Sequence, residues 1–201
     1  MVNPSSFAAL TQQIDEYKRR YFQNQLIKGS LLFLGILLAT YLVLNTVEYY
    51  GRFSTPVRAF MLFSYLGLFL TGMYGYVLKP LLGLYGLRKP ISDEVAAKQI
   101  GQFFPEIGDK LLNTLQLRNL SNTQSDLLKA SIEQRSGQLL ITRFSSAIQL
   151  NKNRRFVKYA LIPASVIGGI LLLYPAFFTK SSSRIVQFDK EFVEEAPFRF
   201  V

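Results

Sequence analysis

Three long runs of uncharged, apolar residues constrain this chain more than any other feature of its sequence. The first extends from Ile27 to Tyr49 and carries no charge between Lys28 and Glu48. The second, Val57 to Leu78, is uncharged between Arg58 and Lys79, with Pro80 just beyond. The third, Tyr159 to Phe178, lies between Lys158 and Lys180 and contains Pro163 and Pro175. Each run is close to the roughly 20 residues that an α-helix needs to cross a hydrocarbon core about 30 Å thick. Prolines are tolerated in such helices, so the third run qualifies with the other two. A soluble domain has room for one very apolar core helix, but three separated runs in 201 residues, 49% of them hydrophobic, exceed what it buries. The expected fold is an all-α integral membrane protein with three transmembrane helices, at 27–49, 57–78 and 159–178.

The lysines and arginines orient those helices. Lys18, Arg19, Arg20 and Lys28 precede or open the first run, and thirteen further basic residues, against six acidic ones, lie between Lys79 and Lys158. The connection between the first two runs has only Arg52 and Arg58, and in the tail basic and acidic residues balance. Cytoplasmic loops retain the excess of positive charge, so residues 1–26 and 79–158 are expected inside and the C-terminus outside. The same distribution accounts for the net charge of +10. Basic residues beside spans, such as Lys18, Arg19, Arg20, Lys152, Arg154, Arg155 and Lys158, set topology and meet anionic headgroups. Nucleic-acid binding would call for basic residues interleaved with exposed aromatics or a recognisable motif, and it is not expected.

Cysteine and histidine are both absent. That removes thiolate nucleophiles, disulfides, thiolate metal sites and the side chain most used for proton transfer near neutral pH. About 25 residues precede the first run and no small-x-small cleavage pattern follows it, so the first span reads as a retained signal anchor.

Phe7, Leu10, Ile14, Tyr17 and Tyr21 recur at spacings of three and four, the apolar stripe of an amphipathic helix over residues 1–26. Such a helix either lies in the headgroup layer before turning into the first span or packs on the protein's own cytoplasmic part. In the 79–158 segment, residues 81–89 either extend the second span or form an interfacial elbow. Ser92 followed by Asp93 and Glu94 predicts an N-cap and a helix through about Phe104, and Pro105 opens another through about Leu117. Val95, Ile100, Phe103, Ile107, Leu111, Leu112 and Leu115 give this pair an apolar side. After a polar turn at Asn119 to Gln124, a third helix is expected from about Ser125 to Asn151, burying Leu127, Leu128, Ile132, Leu139, Leu140, Phe144 and Ile148. The segment therefore reads as a small helical cytoplasmic domain between spans two and three.

The tail, 179–201, begins with a serine-rich linker and changes to alternation, with Ile185, Phe188, Phe192, Phe198 and Phe200 among charges, a β-like pattern. An isolated strand is unstable in water, so the tail is expected either to join a partner's sheet or to begin a larger extracytoplasmic β-domain.

Candidate sites are sparse. Charge at mid-bilayer usually marks a transport path, and the charged residues of the runs lie only at their ends. Glu48, at the outer end of the first, is expected to pair with Arg52 or Arg58. Small residues four apart permit close helix contact: Gly35 with Ala39, Thr71 with Gly75, Ala164 with Gly168 and Ser165 with Gly169. Phosphate loops, zinc-ligand spacings and nucleophile elbows are absent from the sequence, and the inner carboxylates read as caps or solvated charges. Neither catalysis nor a cofactor is expected.

The run Pro90-Ile91-Ser92-Asp93-Glu94, the later PEIGDKLLNTLQL from Pro105 to Leu117, and the two-span hairpin before them resemble the N-terminal part of a family of large inner-membrane proteins of the Bacteroidota, domain-of-unknown-function family 4175. The resemblance covers most of the chain. It implies a membrane anchor followed by a long periplasmic region with β-domains and coiled coil, and it carries no catalytic residues. The functional expectation is a non-catalytic anchor or scaffold subunit of a cell-envelope complex, with other membrane or periplasmic proteins as partners. The alternative is an accessory subunit of a protein-export or transport machine, packing against a translocase channel formed by other chains.

Overall fold

The computed structural model describes residues 5–87, 91–120, 126–190 and Phe192; the side chains of residues 119 and 120 are outside that description. Among the described residues every regular element is helical. They are α1 (Ser6–Gly51), α2 (Thr55–Gly72), a π-helical segment (Met73–Leu78), α3 (Lys79–Leu84), α4 (Asp93–Phe103), α5 (Pro105–Leu120), α6 (Asp126–Leu139), α7 (Arg154–Leu173) and α8 (Ala176–Val186), with 3-10 turns at Phe144–Ala147 and Leu150–Asn153. Three stretches are long and apolar enough to cross a membrane: α1, the rod Thr55–Leu84, and Phe144–Leu173. The chain divides into two compact units, residues 1–27 with 79–152 and residues 28–78 with 153–201.

The first unit is built on the amphipathic stripe. Leu10, Ile14 and Tyr17 of α1 are fully buried with Ala96, Ala97 and Ile100 of α4, Leu111 and Leu115 of α5, Leu139 of α6, and Phe144 and Ile148. Phe7 and Tyr21 pack against the same core. Of the two expectations for this helix, packing on the protein's own helices describes it, and α1 runs unbroken from Ser6 to Gly51 without a turn. Polar contacts fix its angle. Glu133 of α6 accepts the Ser6 amide at 2.7 Å, a carboxylate at the positive end of α1. Lys18 reaches Asp15 at 3.1 Å and Asp93 at 2.5 Å, and Arg20 donates to the Ser145 carbonyl at 3.3 Å.

The caps expected around α4 and α5 form. The Ser92 hydroxyl accepts the Val95 amide at 3.3 Å, Asp93 and Glu94 occupy the first turn, and Pro105 opens α5. Two expectations need correction. The helix expected to reach Asn151 stops at Leu139, because a turn there and the 3-10 segments after it deliver Phe144 and Ile148 to the core, which a straight helix would not. Leu127, expected inside, is 85% exposed, and Val95 and Phe103 are exposed as well. The polar turn lies partly outside the described residues, since only Asn119 and Leu120 of it belong to α5. Of residues 81–89, α3 takes Leu81–Leu84, a turn follows at Tyr85 and Gly86, and Arg88 to Pro90 are outside the description.

The second unit gathers the apolar helices, and here prolines decide local geometry. Pro80 has no N–H to offer the Tyr76 carbonyl four residues back, and the preceding segment widens from α to π geometry. Pro163 deprives the Tyr159 carbonyl in the same way inside α7. Both deprived carbonyls lie against glycines of α1. A side-chain carbon placed on Gly29 would meet the Tyr76 oxygen at 2.5 Å, and one on Gly35 would meet the Tyr159 oxygen at 2.5 Å. Only a residue without Cβ admits that approach.

The third apolar helix is displaced from the expected run, beginning and ending five residues earlier. Pro175 disfavours helical geometry at the preceding residue, and Tyr174 leaves the helical region, with φ −150° and ψ 73°. α7 therefore ends at Leu173 rather than Phe178, and the chain restarts as α8. The serines expected to form a linker lie in α8, as does Ile185. The tail is thus helical as far as Val186 with a turn at Gln187–Asp189, the described residues hold no strand to support the β-like reading, and Glu191 and residues 193–201, which include Phe198 and Phe200, lie outside them.

Candidate functional site

Polar groups buried within the second unit converge where α8 meets the end of α1 and the start of α2. Tyr41, Asn45 and Glu48 follow one another at four and three residues, so they form one stripe on α1. Ser181, Ser182 and Arg184 of α8 face them. The Tyr41 hydroxyl and the Ser182 hydroxyl are 2.8 Å apart, and Ser182 donates to Asn45 Oδ1 at 2.7 Å. Ser181 lies 2.7 Å from the same Oδ1 and 2.6 Å from the Phe177 carbonyl, so its one proton is shared between two acceptors. Asn45 Nδ2 donates back to the Tyr41 carbonyl at 2.9 Å. Asn45 and Ser181 are 1% exposed and Glu48 is fully buried.

The charge on Glu48 is met by α8. Arg184 Nε stands 2.8 Å from Oε1, and the Phe53 amide donates to Oε2 at 3.3 Å. The expected partner was Arg52 or Arg58. Arg58 instead turns to the end of α8, where Nη1 donates to the carbonyls of Arg184 at 3.4 Å and Lys190 at 3.2 Å, while Nη2 reaches the Thr55 hydroxyl at 3.4 Å. A cation at the negative end of a helix is favourable, so Arg58 acts as a C-terminal cap supplied by another element. Phe192 takes both guanidinium groups on its ring, Arg58 at 5.4 Å and Arg184 at 5.2 Å. Around this core Phe178 stacks on Tyr41, Phe177 packs on Tyr49, and Phe63 meets Phe188.

Chemically the cluster is a clasp. Its carboxylate is committed to a guanidinium and a backbone amide, its amide oxygen to two hydroxyls, and nothing in it is arranged as nucleophile and base. Among the described residues no three potential metal-ligating side chains come together.

The small residues singled out from spacing divide. Gly35 is buried against α7, whereas Ala39 is exposed. Thr71 is exposed and, among the described residues, no other part of the chain lies within 4 Å of the side-chain position of Gly75, Gly168 or Gly169. Ala164 and Ser165 are exposed too. Gly29, which spacing did not single out, makes the second close approach; the signal available was Tyr-x-x-x-Pro, present at both Tyr76–Pro80 and Tyr159–Pro163. The basic residues divide as well. Lys18 is committed to two carboxylates, and although burial opposes its charge, Asp93 and Asp15 outweigh that and raise its pKa. Arg20 is spent on Ser145, while Arg19, Lys152, Arg154, Arg155 and Lys158 are exposed.

No family model, curated protein or solved structure matches the chain.

Proposed function

We propose that this chain is a non-catalytic anchor and scaffold subunit of a bacterial cell-envelope complex, held in the inner membrane with residues 1–26 and 79–158 in the cytoplasm and the C-terminus in the periplasm. The observation that carries this reading is the clasp: the carboxylate buried in the spanning unit is consumed in tying α8 to α1 rather than lining a path. Such a tie gives the chain beyond the third span a fixed point of departure, which is what presentation of a periplasmic segment requires. The resemblance to the Bacteroidota family belongs to the same proposal, because it implies an anchor of this kind.

The second reading, an accessory subunit of an export or transport machine, is favoured by the open small-residue surfaces at Gly75, Gly168 and Gly169, where another helix has room to approach. Purification in mild detergent followed by mass spectrometry of what co-purifies separates the two. Stoichiometric recovery of a translocase sinks the free-standing scaffold, and recovery of envelope proteins without one sinks the accessory role. Orientation is tested by reporters fused near Asn122 and after Val201, expected to be active in the cytoplasm and the periplasm respectively; the reverse pattern overturns the assignment.

A further inference from the structure

We propose that Lys28, Arg154, Arg155 and Lys158 form a binding site for the phosphodiester headgroup of an anionic glycerophospholipid. Lys28 Nζ stands 5.0 Å from the centre of the Phe156 ring, and Arg155 Cζ stands 4.8 Å from the same centre. Lys158 Nζ lies 5.3 Å from the Tyr159 ring. Phe156 thus contacts a cation from α1 and a cation from α7, and Arg154, the first residue of α7 and the neighbour of Arg155, supplies a fourth basic side chain.

No described carboxylate neutralises these charges. All four residues are exposed, and none is held by a carboxylate among the described residues. The described carboxylates of this unit are Glu48 and Asp189. Glu48 is about 30 Å further along α1 at 1.5 Å per residue, and it is committed to Arg184. Lys18, by contrast, has two carboxylates. An aromatic face steadies an ammonium or guanidinium without accepting its hydrogen bonds, so the N–H donors remain for an outside acceptor. The guanidinium fork matches two phosphate oxygens, and the positive end of α7 adds to the attraction.

A lipid fits better than a soluble phosphate because the same elements turn apolar immediately afterwards. Leu161 and Ile162 follow the cluster and are 56% and 62% exposed. Acyl chains attached to the bound phosphate would cover them. This site rests on reading α1 and α7 as membrane spans.

The test uses the full chain in nanodiscs of phosphatidylcholine and phosphatidylglycerol in equal parts, with retained lipids counted by native mass spectrometry. The wild-type chain is expected to retain phosphatidylglycerol preferentially. K28Q/R155Q should weaken that retention by about fivefold for each cation removed. K28R/R155K should restore it, which separates loss of charge from loss of fold, and K79Q, outside the cluster, should leave it unchanged. Retention by K28Q/R155Q equal to wild type overturns the site, and so does an equal loss in K79Q, which would mean diffuse attraction to the surface. Displacement by millimolar inorganic phosphate would assign the cluster to a soluble anion and overturn the lipid. A wild-type chain that does not enter the bilayer overturns the spanning reading and this site together, whereas one that inserts without lipid preference overturns the site alone.

Discussion

Glu48 shows what one residue decides. A carboxylate with no exposed surface is costly unless paired and hydrogen-bonded, and Arg184 and the Phe53 amide supply both. Removing one partner strands the other. Glu48→Ala is expected to cost about 2 kcal/mol, below the range for a wholly buried pair because Arg184 retains some exposure. The double variant with Arg184→Ala should cost less than the two single losses combined, as read from denaturant unfolding in detergent; additive losses would show that the pair is not coupled. Lys18 allows a sharper test by pH. Its raised pKa means that its contribution is fully present below the ordinary lysine value of 10.5 and fades as pH climbs through the raised one. Lys18→Met should therefore cost about 1 kcal/mol at pH 7 to 9, a modest figure because Asp93 is half exposed, and the difference from wild type should shrink only above about pH 10.5. A difference that vanishes by pH 9 would place the stabilisation elsewhere. The sequence placed Glu48 at the end of a span and supplied candidate arginines nearby, but its partner lies 136 residues away. Sequence spacing carries no information about which distant cation folds back.

Among the elements, α1, α2 and α7 form for reasons visible in the sequence, since each contains a long uncharged apolar run with a basic or proline boundary. Their contacts follow from the pairing of Tyr-x-x-x-Pro with glycine. Pro80→Ala should restore the N–H that the Tyr76 carbonyl lacks and convert Met73–Leu78 to α-helix, detectable as new amide protection at position 80; persistence of the π geometry would separate it from the proline. Gly35→Leu should push α7 away and cost about 2 kcal/mol by overpacking, whereas Gly168→Leu, with no described neighbour within 4 Å, should cost much less. Similar losses at both positions would mean that the α1–α7 approach is not the tight one. α8 was not legible. Its serines read locally as a linker, and they are helical because Ser181 and Ser182 bond Asn45 while Phe177, Phe178 and Ile185 are buried. Tertiary contacts overrode a weak local preference.

At the scale of the whole molecule, the chain leaves its first unit after residue 27, builds the hairpin of the second, returns to complete the first, and ends in the second. Each unit is thus closed by segments distant in sequence. Deleting residues 5–22 removes Leu10, Ile14 and Tyr17 from the core of the first unit, so Ile100, Leu111 and Phe144 would be left uncovered. Residues 91–152 are then expected to become protease-sensitive while the apolar helices still insert; unchanged resistance would show that α4 to α6 stand without α1. The sequence by itself determined the apolar helices, the amphipathic stripe of α1 and the caps of α4 and α5, because hydrophobic length, periodicity and capping are local properties. Only the tertiary structure decided that α8 is helical, that Arg184 answers Glu48, that Gly29 and Gly35 rather than Gly168 receive a neighbouring backbone, and that Lys28 joins Arg155 at Phe156. Those outcomes depend on which buried polar groups and bare carbonyls find partners far away in sequence, and the need to satisfy them is global.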